Sequence, residues 1–120
     1  MPYSVVKMNA VRRLLWWLVA ASEGGFNRAR IITTLKETPC NANQLSLKLN
    51  LDYKTIRHHL DVLEKNNLTT STGIKHGKVY FLSNLLEENY SDFEEIWVEV
   101  GQKQIKSTEN KGEDKNEKTG

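Results

Sequence analysis

The sequence predicts a mainly α-helical chain with one small β-hairpin, an α+β arrangement carrying an extra helix at each end. Three observations carry that prediction. Apolar side chains recur at helical spacing in five separate stretches, and two segments rich in Thr, Val, Tyr and Phe flank Lys75-His76-Gly77. The length, 120 residues, is the usual size of one domain and can bury a core without disulfides or metals.

The first helix is expected over Val5 to Ser22. Met8, Val11, Leu15 and Leu18 line one face at spacings of three, four and three, and Gly24-Gly25 ends the helix. Trp16, Trp17 and Val19 widen the apolar surface beyond that stripe, so the helix needs a partner surface. Asn27 is placed to cap a second helix to about Glu37, with Ile31, Ile32 and Leu35 inward and Pro39 forbidding continuation. Asn41 and Gln44 have the spacing of a capping box, opening a short helix to Leu49 that buries Ala42, Leu45 and Leu49.

After the tight connection Asn50-Leu51, Asp52 caps a helix to about Lys65. Ile56, Leu60 and Leu63 fall on one narrow stripe, which leaves Tyr53, Lys54, Arg57, His58 and Asp61 outward. His59 reads as a packing histidine. Asn66-Asn67 stops this helix, because Asn tolerates the left-handed conformation common at helix ends. Leu68 to Ile74 and Lys78 to Leu82 then form the hairpin, which must lean on the helices because two strands alone are marginal.

From Leu85 the chain returns to helix. Leu86, Tyr90, Phe93, Trp97 and Val100 alternate spacings of four and three, a short heptad seam. Ser107 to Gly120 has no apolar side chain to contribute to a core and reads as a disordered tail. The expected organisation is an N-terminal apolar helix in 1–25, a central domain in 26–83, an amphipathic helix in 84–106 and the tail in 107–120.

Charge divides along the same lines. Residues 27–82 hold nine Lys/Arg against four acids, whereas 83–100 hold six acids and no Lys or Arg. The middle segment can approach a polyanion that the next segment repels. Two short helices joined by a tight turn, the second with a basic polar outer face and followed by a hairpin, make a winged helix-turn-helix, in which the second helix enters the major groove of DNA.

Residues Leu51 to Leu68, LDYKTIRHHLDVLEKNNL, resemble the recognition helix of the ArsR-type winged-helix regulators and are most similar to archaeal members. That helix typically reads Thr-Val-Ser-x-His-Leu, then a Leu three residues on, then Gly-Leu before the wing. Thr55, Ile56, His59, Leu60, Leu63 and Leu68 match; Asn67 stands at the Gly place and Arg57 replaces the small hydroxyl residue. The resemblance covers about Asn27 to Leu82. It implies a transcriptional regulator that reads double-stranded DNA in sequence-specific fashion, with Tyr53, Lys54, Thr55, Arg57 and His58 facing the groove. It also implies that Lys75, His76 and Lys78 at the hairpin tip reach flanking phosphate or the minor groove, and that the terminal helices join two subunits into a homodimer. The dimerisation residues are then Met8, Val11, Leu15, Leu18, Leu86, Tyr90, Phe93, Trp97 and Val100, although the same side chains could equally form an intramolecular core.

Other classes fit less well. Metal sensing in that family uses several thiolates, and Cys40 is the only cysteine; His58 and His59 point about 100° apart on a helix. No metal, cofactor or catalytic site is therefore expected, and the chain reads as a binding protein, not an enzyme. The longest apolar run, Leu14 to Ala21, is far short of the about 20 residues a membrane span requires. A signal peptide competes for this segment, because Lys7, Arg12 and Arg13 precede the run. Its short length and a domain suited to intracellular DNA favour a cytoplasmic protein. Two further readings are a winged-helix module that docks proteins without reading DNA, and peripheral membrane attachment through Trp16 and Trp17.

Overall fold

The computed structural model describes residues 9–74 and 77–101. Met8, Lys75, His76, the last part of the helix expected to 106 and the tail 107–120 lie outside the described residues.

Helix α1 spans Ala10–Leu15, with the Asn9 side chain accepting from the Arg12 amide. The expected α-helix does not run on to Ser22. Trp16–Ala21 is wound as a π-helix, and Ser22 is extended. The cause lies in a distant side chain: Arg28 donates from Nε to the Leu18 carbonyl (2.8 Å) and from a terminal nitrogen to the Glu23 carbonyl (2.9 Å), so the carbonyls at this end are claimed from outside the helix.

Helix α2 spans Gly25–Glu37, starting three residues earlier than a cap at Asn27 would allow. Gly24 is the capping residue, in the left-handed conformation at φ +84°. A Cβ on Gly25 would sit 2.2 Å from the Val19 carbonyl oxygen, so only glycine lets α2 start so close beneath the π-helix. Asn27 lies inside α2 and accepts from Arg30.

Helix α3, Ala42–Leu49, opens with the expected capping box, both arms formed at 2.8 Å between Asn41 and Gln44. Asn50 ends it at φ 53°, and Asp52 caps α4, Tyr53–Lys65, through a bond to the Lys54 amide. Asn67 takes the left-handed position after α4. Strands β1, Thr69–Thr72, and β2, Val79–Leu82, pair antiparallel with Thr69 opposite Leu82. A bridge not legible in the sequence joins β2 to the start of α3: Cys40 and Tyr80 exchange backbone hydrogen bonds of 3.3 and 2.8 Å. It tethers the hairpin to the helix pair.

After Ser83 caps the short α5, Asn84–Glu88, the chain is helical again over 90–101, called α6. The heptad seam closes inside the chain. Leu15, Leu18, Leu86, Phe93 and Val100, expected at a subunit interface, are buried in one core with Ile31, Ile32, Ile56 and Leu60. A second subunit cannot touch side chains that the first already covers. Val11, Tyr90 and Trp97 are half-buried at the margin of that core, and Met8 lies outside the described residues. Arg12 locks α1 to α6 through Asp92 (2.6 Å) and Glu95 (2.7 Å), contacts that raise its pKa, the hydrogen bond to Glu95 foremost.

Candidate nucleic-acid interface

Helix α4 presents the outward set that its sequence period predicts. Ile56, His59, Leu60 and Leu63 are buried; Tyr53, Lys54, His58, Asp61 and Lys65 are exposed, and Thr55 and Arg57 are half-buried. Several acids that follow the hairpin are engaged by other cations. Asp92 and Glu95 pair with Arg12, and Glu87 of α5 pairs with Lys36 at 3.0 Å.

Arg57 does not stand straight out. The Tyr53 hydroxyl beside it is the largest of the influences that raise the Arg57 pKa, and Tyr80 adds to them. Arg57 therefore leans along the helix toward the hairpin. There, Asn41, Ala42, Asn43, Tyr53, Arg57, Lys78 and Tyr80 line an open cleft of about 100 Å³. The structure thus brings together Tyr53, Arg57 and Lys78 from the predicted set and leaves Lys54 and His58 on the exposed outer face. Lys75 and His76 lie outside the described residues. Asn41, Asn43 and Tyr80 were not foreseen: the cleft exists because the Cys40–Tyr80 bridge draws β2 against the start of α3.

Behind α4 sits a buried polar pair. Arg28 is 4% exposed and has no carboxylate partner among its hydrogen bonds; its guanidinium donates to the carbonyls of Leu18 and Glu23 and to the Ser22 hydroxyl, and faces His59 Nδ1 at 3.3 Å. Burial lowers the Arg28 pKa. His59 is held neutral, its pKa pushed down to about 4 by burial and by the nearby charge of Arg28. The pair fixes α4 against the end of the π-helix. Gly24 is part of the fit, since a Cβ there would lie 2.6 Å from the His59 ring.

Among the described residues no group of three or more His, Cys, Asp or Glu could hold a metal ion, and no helix is long and apolar enough to cross a membrane.

Residues 27–71 match the family model described as bacterial regulatory protein, arsR family. Among solved structures, reduced HlyU from Vibrio cholerae superposes with a TM-score of 0.54 at 18% identity, covering 82% of this chain and 92% of that one. The transcriptional regulator HlyU from Vibrio vulnificus gives 0.53 at 19%, covering 88% and 97%. MarR from Staphylococcus aureus, in complex with salicylate and kanamycin, gives 0.54 at 19%, covering 91% and 68%. At such identities the likeness is one of fold, and the fold is that of winged-helix regulators. These organisms are bacteria, and the archaeal affinity read from the sequence finds no support in them. No curated protein sequence matches the chain.

Proposed function

We propose that this chain is a DNA-binding transcription regulator that reads a specific double-stranded site as a homodimer in the cytoplasm. The observation that carries the reading is the uncovered outer face of α4. Lys54 and His58 stand exposed on a helix whose opposite stripe is fully buried, with the hairpin fastened alongside. In such a geometry α4 lies in the major groove, Lys54 and His58 reach base edges, and Lys78 meets backbone phosphate. Thr55 and Tyr53 border the same contact.

Two-fold assembly is supported by what remains uncovered. Trp17 is 58% and Val98 59% exposed, Trp16 and Phe26 are also exposed, and Phe26 packs on Trp97 with ring centroids 5.4 Å apart. Large aromatic surface on both terminal segments suits an isologous interface, with half-sites one helical turn apart.

Selection from a randomised duplex pool, followed by affinity measurement, tests the reading. The wild type should enrich a site with two-fold symmetry. Lys54→Ala and His58→Ala should each cost about 1–3 kcal/mol on that site while hardly changing affinity for random duplex. A wild type that binds no duplex at low salt would sink the proposal.

A further inference from the structure

The cleft between α3, α4 and the hairpin has the chemistry of an anion site. Asn41 caps α3 with its side chain on the Gln44 amide, while the Gln44 side chain takes the Asn41 amide. The Leu45 amide bonds the Asn41 carbonyl. The amides of Ala42 and Asn43 are thus left over, at the positive end of the helix dipole, and both residues line the cleft.

A second feature points to a ligand independently. Tyr80 is only 1% exposed, yet it lines the cleft, and its hydroxyl has no hydrogen-bond partner among the described residues. Burial raises its pKa, so it stays protonated and can donate. Arg57 and Lys78, which both line the cleft, supply two positive charges. The space, about 100 Å³, is about three times the ~30 Å³ share of one liquid water, enough for a small tetrahedral anion. Every donor named here suits phosphate oxygens, and none of the lining residues is acidic.

We propose that this cleft binds one phosphate group, a phosphodiester of the DNA backbone, gripped by Arg57, Lys78, the Tyr80 hydroxyl and the amides of Ala42 and Asn43. Arg57 is accordingly a backbone clamp and not a base reader. The proposal rests on the DNA-binding reading above and deepens it. Sequence preference then falls to Lys54 and His58, while the clamp sets how deeply α4 seats in the groove.

Arg57→Gln and Tyr80→Phe test it on the intact chain. Tyr80→Phe removes only an unpartnered hydroxyl, so the fold is kept. Affinity for the selected duplex and for random duplex should fall alike, about tenfold for Arg57→Gln and about threefold for Tyr80→Phe. For Arg57→Gln the slope of log affinity against log salt should shrink by about one. A loss confined to the selected duplex with an unchanged salt slope would make Arg57 a base reader and overturn the clamp. Unchanged affinity on both duplexes would overturn it as well. In a separate arm, inorganic phosphate should shift the Ala42 and Asn43 amide resonances of the wild type but not of Arg57→Gln, and no shift in the wild type counts against the site. Phosphate-induced shifts in a wild type that binds no duplex would leave a phosphate site standing while overturning DNA as its source.

Discussion

Arg28 and His59 show how one contact between distant residues settles the posture of the reading helix. A buried guanidinium is stable here because backbone carbonyls and a hydroxyl accept its hydrogens, and because His59 beside it stays neutral. The folded value of His59 near 4, against an ordinary 6.5, means that the native state refuses a proton the unfolded chain accepts. Stability from this group is therefore complete above pH 6.5, falls as pH drops toward 4 and levels off below, with about 1.4 kcal/mol involved per unit. Urea unfolding at pH 7 and pH 5 should show the decline, and His59→Leu should flatten it. Gly24 makes the neighbouring requirement steric. Gly24→Ala combines left-handed strain, worth roughly 1–2 kcal/mol, with a collision against the His59 ring, so its thermal midpoint should fall by several degrees.

Among the elements, α3 and the π-helix are held in different ways. The capping box of α3 is local, complete and readable from Asn41 and Gln44 alone. Asn41→Ala should cost about 1 kcal/mol, measured by chemical denaturation. It should also weaken duplex binding, since the helix start that lines the phosphate cleft would fray. The π-helix depends instead on Arg28, ten places beyond the Leu18 carbonyl that it binds and invisible to any apolar count, and on a glycine at position 25 that allows α2 to begin beneath Val19. A helical period computed along residues 5–22 has no means of sensing either. The hairpin is similar: its strands follow from Thr, Val, Tyr and Phe, but its attachment follows from the Cys40–Tyr80 bridge.

For the molecule as a whole, opposite charges are segregated and then partly cancelled. The acidic segment gives Asp92 and Glu95 to Arg12 and Glu87 to Lys36. Its field is thereby weakened where a polyanion would approach. With the heptad seam consumed by the chain's own core, the proposed dimer rests on exposed apolar side chains such as Trp17 and Val98. Trp17→Glu should yield a folded monomer by sedimentation, with native circular dichroism and at least about tenfold weaker binding to a two-fold symmetric duplex, because the two half-sites no longer act together. A dimer of unchanged affinity would show that subunits meet elsewhere.

Element order, the buried stripe of α4, its Asp52 cap and the hairpin could all be read from residue order, since periodicity, caps and turns involve neighbours a few places apart. The resemblance in Thr55, Ile56, His59, Leu60, Leu63 and Leu68 extended that reading to DNA. Packing alone settled the remainder: that the aliphatic seam faces inward, that Arg28 rewinds the first helix, and that Arg57 leans toward Lys78 and Tyr80. Those outcomes depend on side chains up to 83 positions apart meeting in space, as Arg12 meets Glu95, and no local pattern encodes which of several apolar or charged partners will be nearest once the core has closed.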